Sequence, residues 1–301
     1  MNAMRTLCLL GLLLPFLAGC ASVNVQPFQT FQSAVKQGQA AMDDSLGLGV
    51  DWVRSADAQT FDGQMSQLVM RLGQGYDWTL EPVPLYLRIK QARKVFWILN
   101  DNMQSYAGLL LRLADNQVDD PAAFETLAAQ LNRNAETAAQ ALNWAPPKEG
   151  IPVFSAVAVE AAREYIRGKR LEALGRIVRE NQPLVEKYAA HCTRLIQLLR
   201  ENFKAYYGDH YEPIRAAWKQ SPAGSRAALV EQMYALNDRL IDILDALQQM
   251  EKIYAALPAA HQELAQAVKA TALTFDRPGL QLLIEEGRQL GHLYENLKSD
   301  K

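Results

Sequence analysis

The chain has 301 residues and a formal net charge of −2, with 49% hydrophobic and 21% charged residues. That much apolar side chain supports a real core and argues against disorder. The near-neutral balance gives no sign of a nucleic-acid partner, which would want a strongly basic face.

The first residues follow the order of a secretory signal. Arg5 is positive, residues 7–14 are apolar, Pro15 interrupts, and small residues follow. The apolar run is too short to span a bilayer. It ends in Leu17-Ala18-Gly19-Cys20. This stretch resembles the lipobox of bacterial lipoproteins, and the resemblance covers only residues 1–22. It implies that residues 1–19 are removed and that Cys20 carries a diacylglycerol thioether and an acylated amine. Several palmitate-type chains would hold firmly, since each buried CH₂ contributes about 0.8 kcal/mol. Ala21 and Ser22 follow the cysteine, where an inner-membrane retention signal would have Asp. The resemblance therefore implies the outer membrane, periplasmic side.

Three cysteines are present. On the lipobox resemblance Cys8 would leave with the signal and Cys20 would take lipid, so Cys192 would remain alone and the mature chain would have no internal disulfide. Cys192 falls on an apolar stripe, which predicts a buried thiol.

Residues 20–27 are expected to form a short lipidated tether, and residues 28–301 a helical bundle. Phe28, Phe31, Val35 and Met42 open a helical pattern that Gly47 and Gly49 weaken. It returns at Met65, Leu68, Val69 and Leu72, and residues 73–84 suggest a loop. Leu85, Ile89, Ala92, Phe96, Leu99, Met103, Tyr106, Leu110 and Leu113 then alternate in steps of four and three, a long coiled-coil-like seam. Asp120-Pro121 has the form of a helix start. Phe124, Ala128, Leu131, Ala135, Ala138 and Leu142 form the next seam, paired with the previous one as an αα-hairpin.

Residues 144–152, with three prolines and a glycine, are the best internal break. Residues 153–162 are nearly all apolar but too few to cross a membrane. Leu171, Leu174 and Val178 continue the stripe after it slips near Gly168. Pro183 starts another helix through Val185, Tyr188, Cys192, Leu195 and Leu199, expected to end near Gly208. Ser221-Pro222 predicts an N-cap and start. Leu229, Met233, Leu236, Leu240, Ile243, Leu247, Met250, Tyr254 and Leu257 form an unbroken seam up to Pro258, a predicted kink or break. Shorter patterns around Leu264 and over residues 280–297 close the chain. No alternating stretch predicts a strand. The expected fold is all-α: an elongated multi-helix bundle of long antiparallel helices, each about 45 Å for about 30 residues.

Motifs for chemistry are scarce. Of four histidines, none lies in His-Glu-x-x-His or Glu-x-x-His, so neither a metal nor another cofactor is called for. His191 and Cys192 are neighbours in a helix and diverge by about 100°, which opposes a thiol–imidazole dyad. Tyr206, Tyr207, His210, Tyr211 and Trp218, with Asp209 and Glu212, make the densest polar-aromatic patch. No nucleophile motif or phosphate loop accompanies it. The patch is expected to be an inter-helix turn covering the bundle end, and it is the candidate binding surface. Arg163, Arg167 and Arg170 are expected to form a solvated face, diluted by Glu164 and Glu172; the alternative is a candidate basic face for anionic lipid or an acidic partner. Asp238, Asp242 and Asp245 suggest a wet acidic stripe.

The leading expectation is a non-enzymatic lipoprotein, a helical scaffold or binding module that meets the membrane through its lipid and also has a protein partner. A membrane-active helical protein is an alternative, with residues 153–162 as a concealed apolar segment. An immunity or inhibitor protein for a periplasmic toxin is another.

Overall fold

The computed structural model describes residues 23–60, 85–115, 122–141, 170–269 and 277–299, together with 154, 156, 157, 159, 160 and 164. The lipobox and Cys20, the expected loop at 73–84, the Asp120-Pro121 start and the break at 144–152 lie outside these residues. The described chain is all-α, with helices α1 Gln26–Thr60, α2 Leu85–Asp115, α3 Ala122–Ala141, α4 Arg170–Glu180, α5 Gln182–Gln220, α6 Arg226–Lys269 and α7 Pro278–Ser299. No strand occurs among the described residues.

The α2 seam is the core as its spacing predicts. Ile89, Phe96, Leu99, Met103, Tyr106, Leu110 and Leu113 are all buried. α1 packs along α2, while α5, α6 and α7 complete the bundle around them. The α1 pattern was weakened by Gly47 and Gly49, yet the helix runs through both. Gly49 is kept small by the bundle itself: a Cβ there would lie 2.9 Å from Cζ of Phe203. On α3, Ala128 and Leu131 reach the core.

α5 and α6 form an antiparallel hairpin whose residue numbers run oppositely. Tyr188 meets Tyr254 with ring centroids 6.0 Å apart, and Arg200 pairs with Glu251 at 2.6 Å. α6 continues through Pro258, so the proline neither breaks nor ends it. Ser221 was expected to start α6, but its side chain and amide close α5 instead. Its Oγ donates to the carbonyl of Ala217 at 2.8 Å, and its backbone N–H to that of Trp218 at 3.3 Å. A 3₁₀ turn at Ala223–Ser225 follows, and α6 starts at Arg226.

One buried amide ties four helices. Asn100 on α2 accepts the hydroxyl of Tyr188 from α5 at 2.9 Å and that of Tyr254 from α6 at 3.0 Å on the same Oδ1. Its Nδ2 donates to Sδ of Met42 on α1 at 3.7 Å. Asn100 is buried and both tyrosines are nearly inaccessible, so each polar atom lost here would be left without water.

α7 is joined to α6 by a carboxylate cap. Glu263 accepts the backbone N–H of Gly279 at 2.7 Å and of Leu280 at 2.9 Å, satisfying donors that the first turn of α7 leaves open. Gly279 is required there. A Cβ would sit 2.9 Å from backbone atoms of both Ala259 and Ala260, which cannot step aside as a side chain could. Gly279→Ala is therefore expected to destabilise the chain by about 1–3 kcal/mol, the cost of overpacking. Urea unfolding followed by far-UV circular dichroism measures it, and an unchanged midpoint would mean that the α6–α7 contact is looser than described.

Candidate functional site

The candidate residues from 206 to 218 divide between two environments. α5 does not stop near Gly208. It continues to Gln220 through both Gly208 and Pro213, so the patch lies on a helix and not on a turn. Pro213 removes the N–H that would reach the carbonyl of Asp209, but Asp209 is on an exposed side where water can take that carbonyl.

Tyr206 is the last side chain of α5 to be buried, and Ile243 is the first of α6. Tyr206 follows Leu199 and Phe203 at helical spacing, and its hydroxyl donates to the carbonyl of Val53 at 3.3 Å. The ring of Trp52 stands edge-on to it at 5.4 Å, and that of His210 lies 4.1 Å away. Beyond this point the two helices leave the bundle as an arm. Tyr207 and Tyr211 stack at 5.2 Å, and the guanidinium of Arg226 covers Trp218 at 4.9 Å. All three aromatics are only half-buried, as are Leu229, Met233, Leu236 and Leu240 opposite them. The seam over residues 229–257 is continuous in sequence but becomes a core only from Ile243 onward.

The arm also shows large apolar groups that the patch did not include. Tyr234 is 61% exposed and Ile241 47%. The signal for them was present as a second stripe of spacing four and three, overshadowed by the stronger seam facing α5. Where the arm joins the bundle there is a cavity of about 140 Å³ lined by Leu48, Asp51, Trp52, Arg239, Asp242, Ile243 and Leu297. It is smaller than the ~300–1,000 Å³ of ordinary ligand pockets. Asp242 thus faces this cavity, whereas Asp238 and Asp245 are exposed as the wet stripe predicts.

The candidate basic face cannot be assembled. Arg163 and Arg167 lie outside the described residues, and Arg170 is described only as the first residue of α4. Nearby, Arg176 pairs with Glu160 at 2.9 Å and with Glu164 at 3.5 Å. Within residues 153–162, Phe154 and Val157 are buried, and Phe154 stacks on Tyr106 at 4.5 Å.

The interior holds a second polar group. His261 is fully buried on α6. Gln182 donates through Nε2 to the carbonyl of Pro258 at 3.1 Å and to Glu186 at 3.0 Å, which fixes its Oε1 toward His261. Nδ1 of His261 therefore carries the proton and donates to that Oε1 at 2.7 Å, while Nε2 accepts the Tyr106 hydroxyl at 2.8 Å. Burial pushes the imidazole down to about 3 and the Tyr106 phenol upward. Cys192 is buried against the Tyr188 and Tyr254 hydroxyls, and burial pushes its thiol up to about 12. His191, its neighbour, is only partly buried, and its imidazole is held below the usual range by desolvation and by Arg194. The two do not form a dyad.

Among the described residues no group of three or more His, Cys, Asp or Glu could hold a metal ion. No helix among them is long and apolar enough to cross a membrane. The described residues thus form an all-α bundle in which the far end of the α5–α6 hairpin, the arm, has no buried side chain. Comparison with protein-family models, curated proteins and solved structures returns no match.

Two outcomes follow. The unfolded chain takes up a proton at His261 near pH 6.5, and the folded chain only near pH 3. Stability is then complete above the unfolded value and falls as pH drops through that window, by about 2 kcal/mol between pH 7 and pH 5. Unfolding free energies from urea titrations at the two pH values should differ by that amount more in the wild type than in His261→Asn. In hydrogen exchange, amides of residues 207–240 should exchange faster than those of 243–264, because the arm has no buried side chain to resist local opening. Equal protection would place the arm within the cooperative core.

Proposed function

We propose that the chain is a lipid-anchored protein of the bacterial outer membrane, facing the periplasm, and that it acts as a non-enzymatic helical binding module. The observation that carries the placement is Leu17-Ala18-Gly19-Cys20 at the end of a short apolar run. The binding reading is supported by the arm, whose half-buried aromatics and exposed Tyr234 and Ile241 offer contact area of the kind that anchors interfaces. The interior histidine, cysteine and tyrosines are engaged with one another and away from water, as structural groups are. The bundle gives the arm a rigid base, and the lipid gives the bundle a fixed address.

Metabolic labelling with an alkynyl palmitate in a Gram-negative host tests the anchor. The wild-type chain should carry label on Cys20 and sediment with outer-membrane vesicles. Cys20→Ala should lose both label and sedimentation. A mature chain that stays soluble with Cys20 unmodified overturns the placement.

A further inference from the structure

We infer that the outer face of α6 on the arm is a docking strip for a basic amphipathic helix. This deepens the binding reading above and rests on it by naming the class of partner. Ala227, Val230, Tyr234, Asn237, Ile241 and Leu244 follow one another at steps of three and four. That spacing keeps one line on a helix and is the seam into which a second helix packs. It lies beside the seam that α5 occupies and, among the described residues, is left open. Tyr234 and Ile241, two turns apart, are the most exposed large apolar groups of the hairpin, while Val230 and Leu244 are half-buried at the edge. The strip is about 26 Å long, enough for five helical turns.

Charge selects the occupant. Glu231, Asp238 and Asp245 recur every seven residues along one border of the strip, and all three are exposed. The other border is Arg226, Met233 and Leu240, all half-buried; the Arg226 guanidinium lies over Trp218 and donates to the carbonyl of Ser221 at 2.9 Å. On α5 itself, Lys204 and Arg215 are paired with Glu201 and Glu212, so that helix presents balanced charge. A helix docking on the strip therefore meets an apolar line, interrupted by Asn237, with carboxylates along one side. Its complement is an apolar seam flanked by Lys or Arg, which gains pairing where a neutral or acidic helix does not. A second copy of this chain is the wrong occupant. Antiparallel pairing of two such strips sets carboxylates against carboxylates, and parallel pairing sets them against the half-buried border of Arg226, Met233 and Leu240. An anionic lipid surface is disfavoured by the same stripe.

The test uses the full chain purified in detergent and three labelled four-heptad peptides, read by fluorescence anisotropy at about 0.15 M salt. One has a leucine seam with lysine flanks, one a leucine seam with glutamate flanks, and one an alanine seam with lysine flanks. The first should bind at least about tenfold more tightly than either of the others, a difference of about 1.4 kcal/mol. Tyr234→Asp should abolish that preference. The triple change Glu231→Lys, Asp238→Lys, Asp245→Lys should transfer it to the glutamate peptide. These positions are exposed, so melting curves should match the wild type; if a variant fails to fold, the three-peptide ranking on the wild type still decides. The inference is overturned if the leucine–lysine peptide does not bind, or if both lysine peptides bind equally. It is also overturned if the triple change leaves the ranking unaltered, or if sedimentation shows self-association that Tyr234→Asp removes. None of these readouts depends on whether Cys20 carries lipid, so failure of the anchor and failure of the docking strip are distinguished.

Discussion

The side chain of Asn100 sits where α1, α2, α5 and α6 come together, and its amide can be satisfied in only one register of those helices. Two tyrosine hydroxyls converge on its oxygen, and its nitrogen reaches a methionine sulfur. Shifting any one of the four helices by a turn would strand a buried donor or acceptor, at a cost of about 1–3 kcal/mol each. Apolar seams alone tolerate such slips, because leucine over leucine looks much the same one heptad along. The polar node removes that degeneracy, and the aromatic rings of Phe96, Tyr188 and Tyr254 pack around it. Everything distal to it, the arm included, inherits its alignment.

Much of this architecture could be read from spacing. The α2 seam is legible because nine apolar positions keep step without a breaker, and nearly all of them are buried. The hairpin of α5 and α6 was legible as two helices but not at its tip. Gly208 and Pro213 are breakers in isolation, yet α6 lies alongside that part of α5 and the lost hydrogen bond falls in water. Ser221-Pro222 resembles a start because serine caps either end; only its bonds to Ala217 and Trp218 decide the direction. The continuity of a seam also says nothing about how many neighbours surround it. Leu229 to Leu240 and Ile243 to Leu257 follow one rule of spacing, but only the latter has α1 and α7 beside it.

The candidate interaction residues show the same limit. Tyr206 belonged to the stripe of Leu199 and Phe203, and that periodicity could have assigned it to the interior. Tyr207, Tyr211 and Trp218 close the arm along its length, which a cluster on a turn would not do. Tyr234 and Ile241 were hidden because a helix with two seams has no single apolar face. His261 was invisible, since a lone histidine carries no mark of the Tyr106 and Gln182 that enclose it.

The direction in which α1 runs has a consequence for reach. Phe28, near its start, is buried, and Val53, near its far end, touches the base of the arm through Tyr206. At 1.5 Å per residue those two points are separated by about 38 Å, and Trp218 lies about 18 Å further out. Only a few residues separate Phe28 from Cys20, so a lipid on that cysteine would hold the start of α1 near the bilayer. The tip could then reach up to about 56 Å from the headgroups, the sum of those two lengths. With the proposed anchor, a partner in the opposite membrane or in the layer between would be met at that distance.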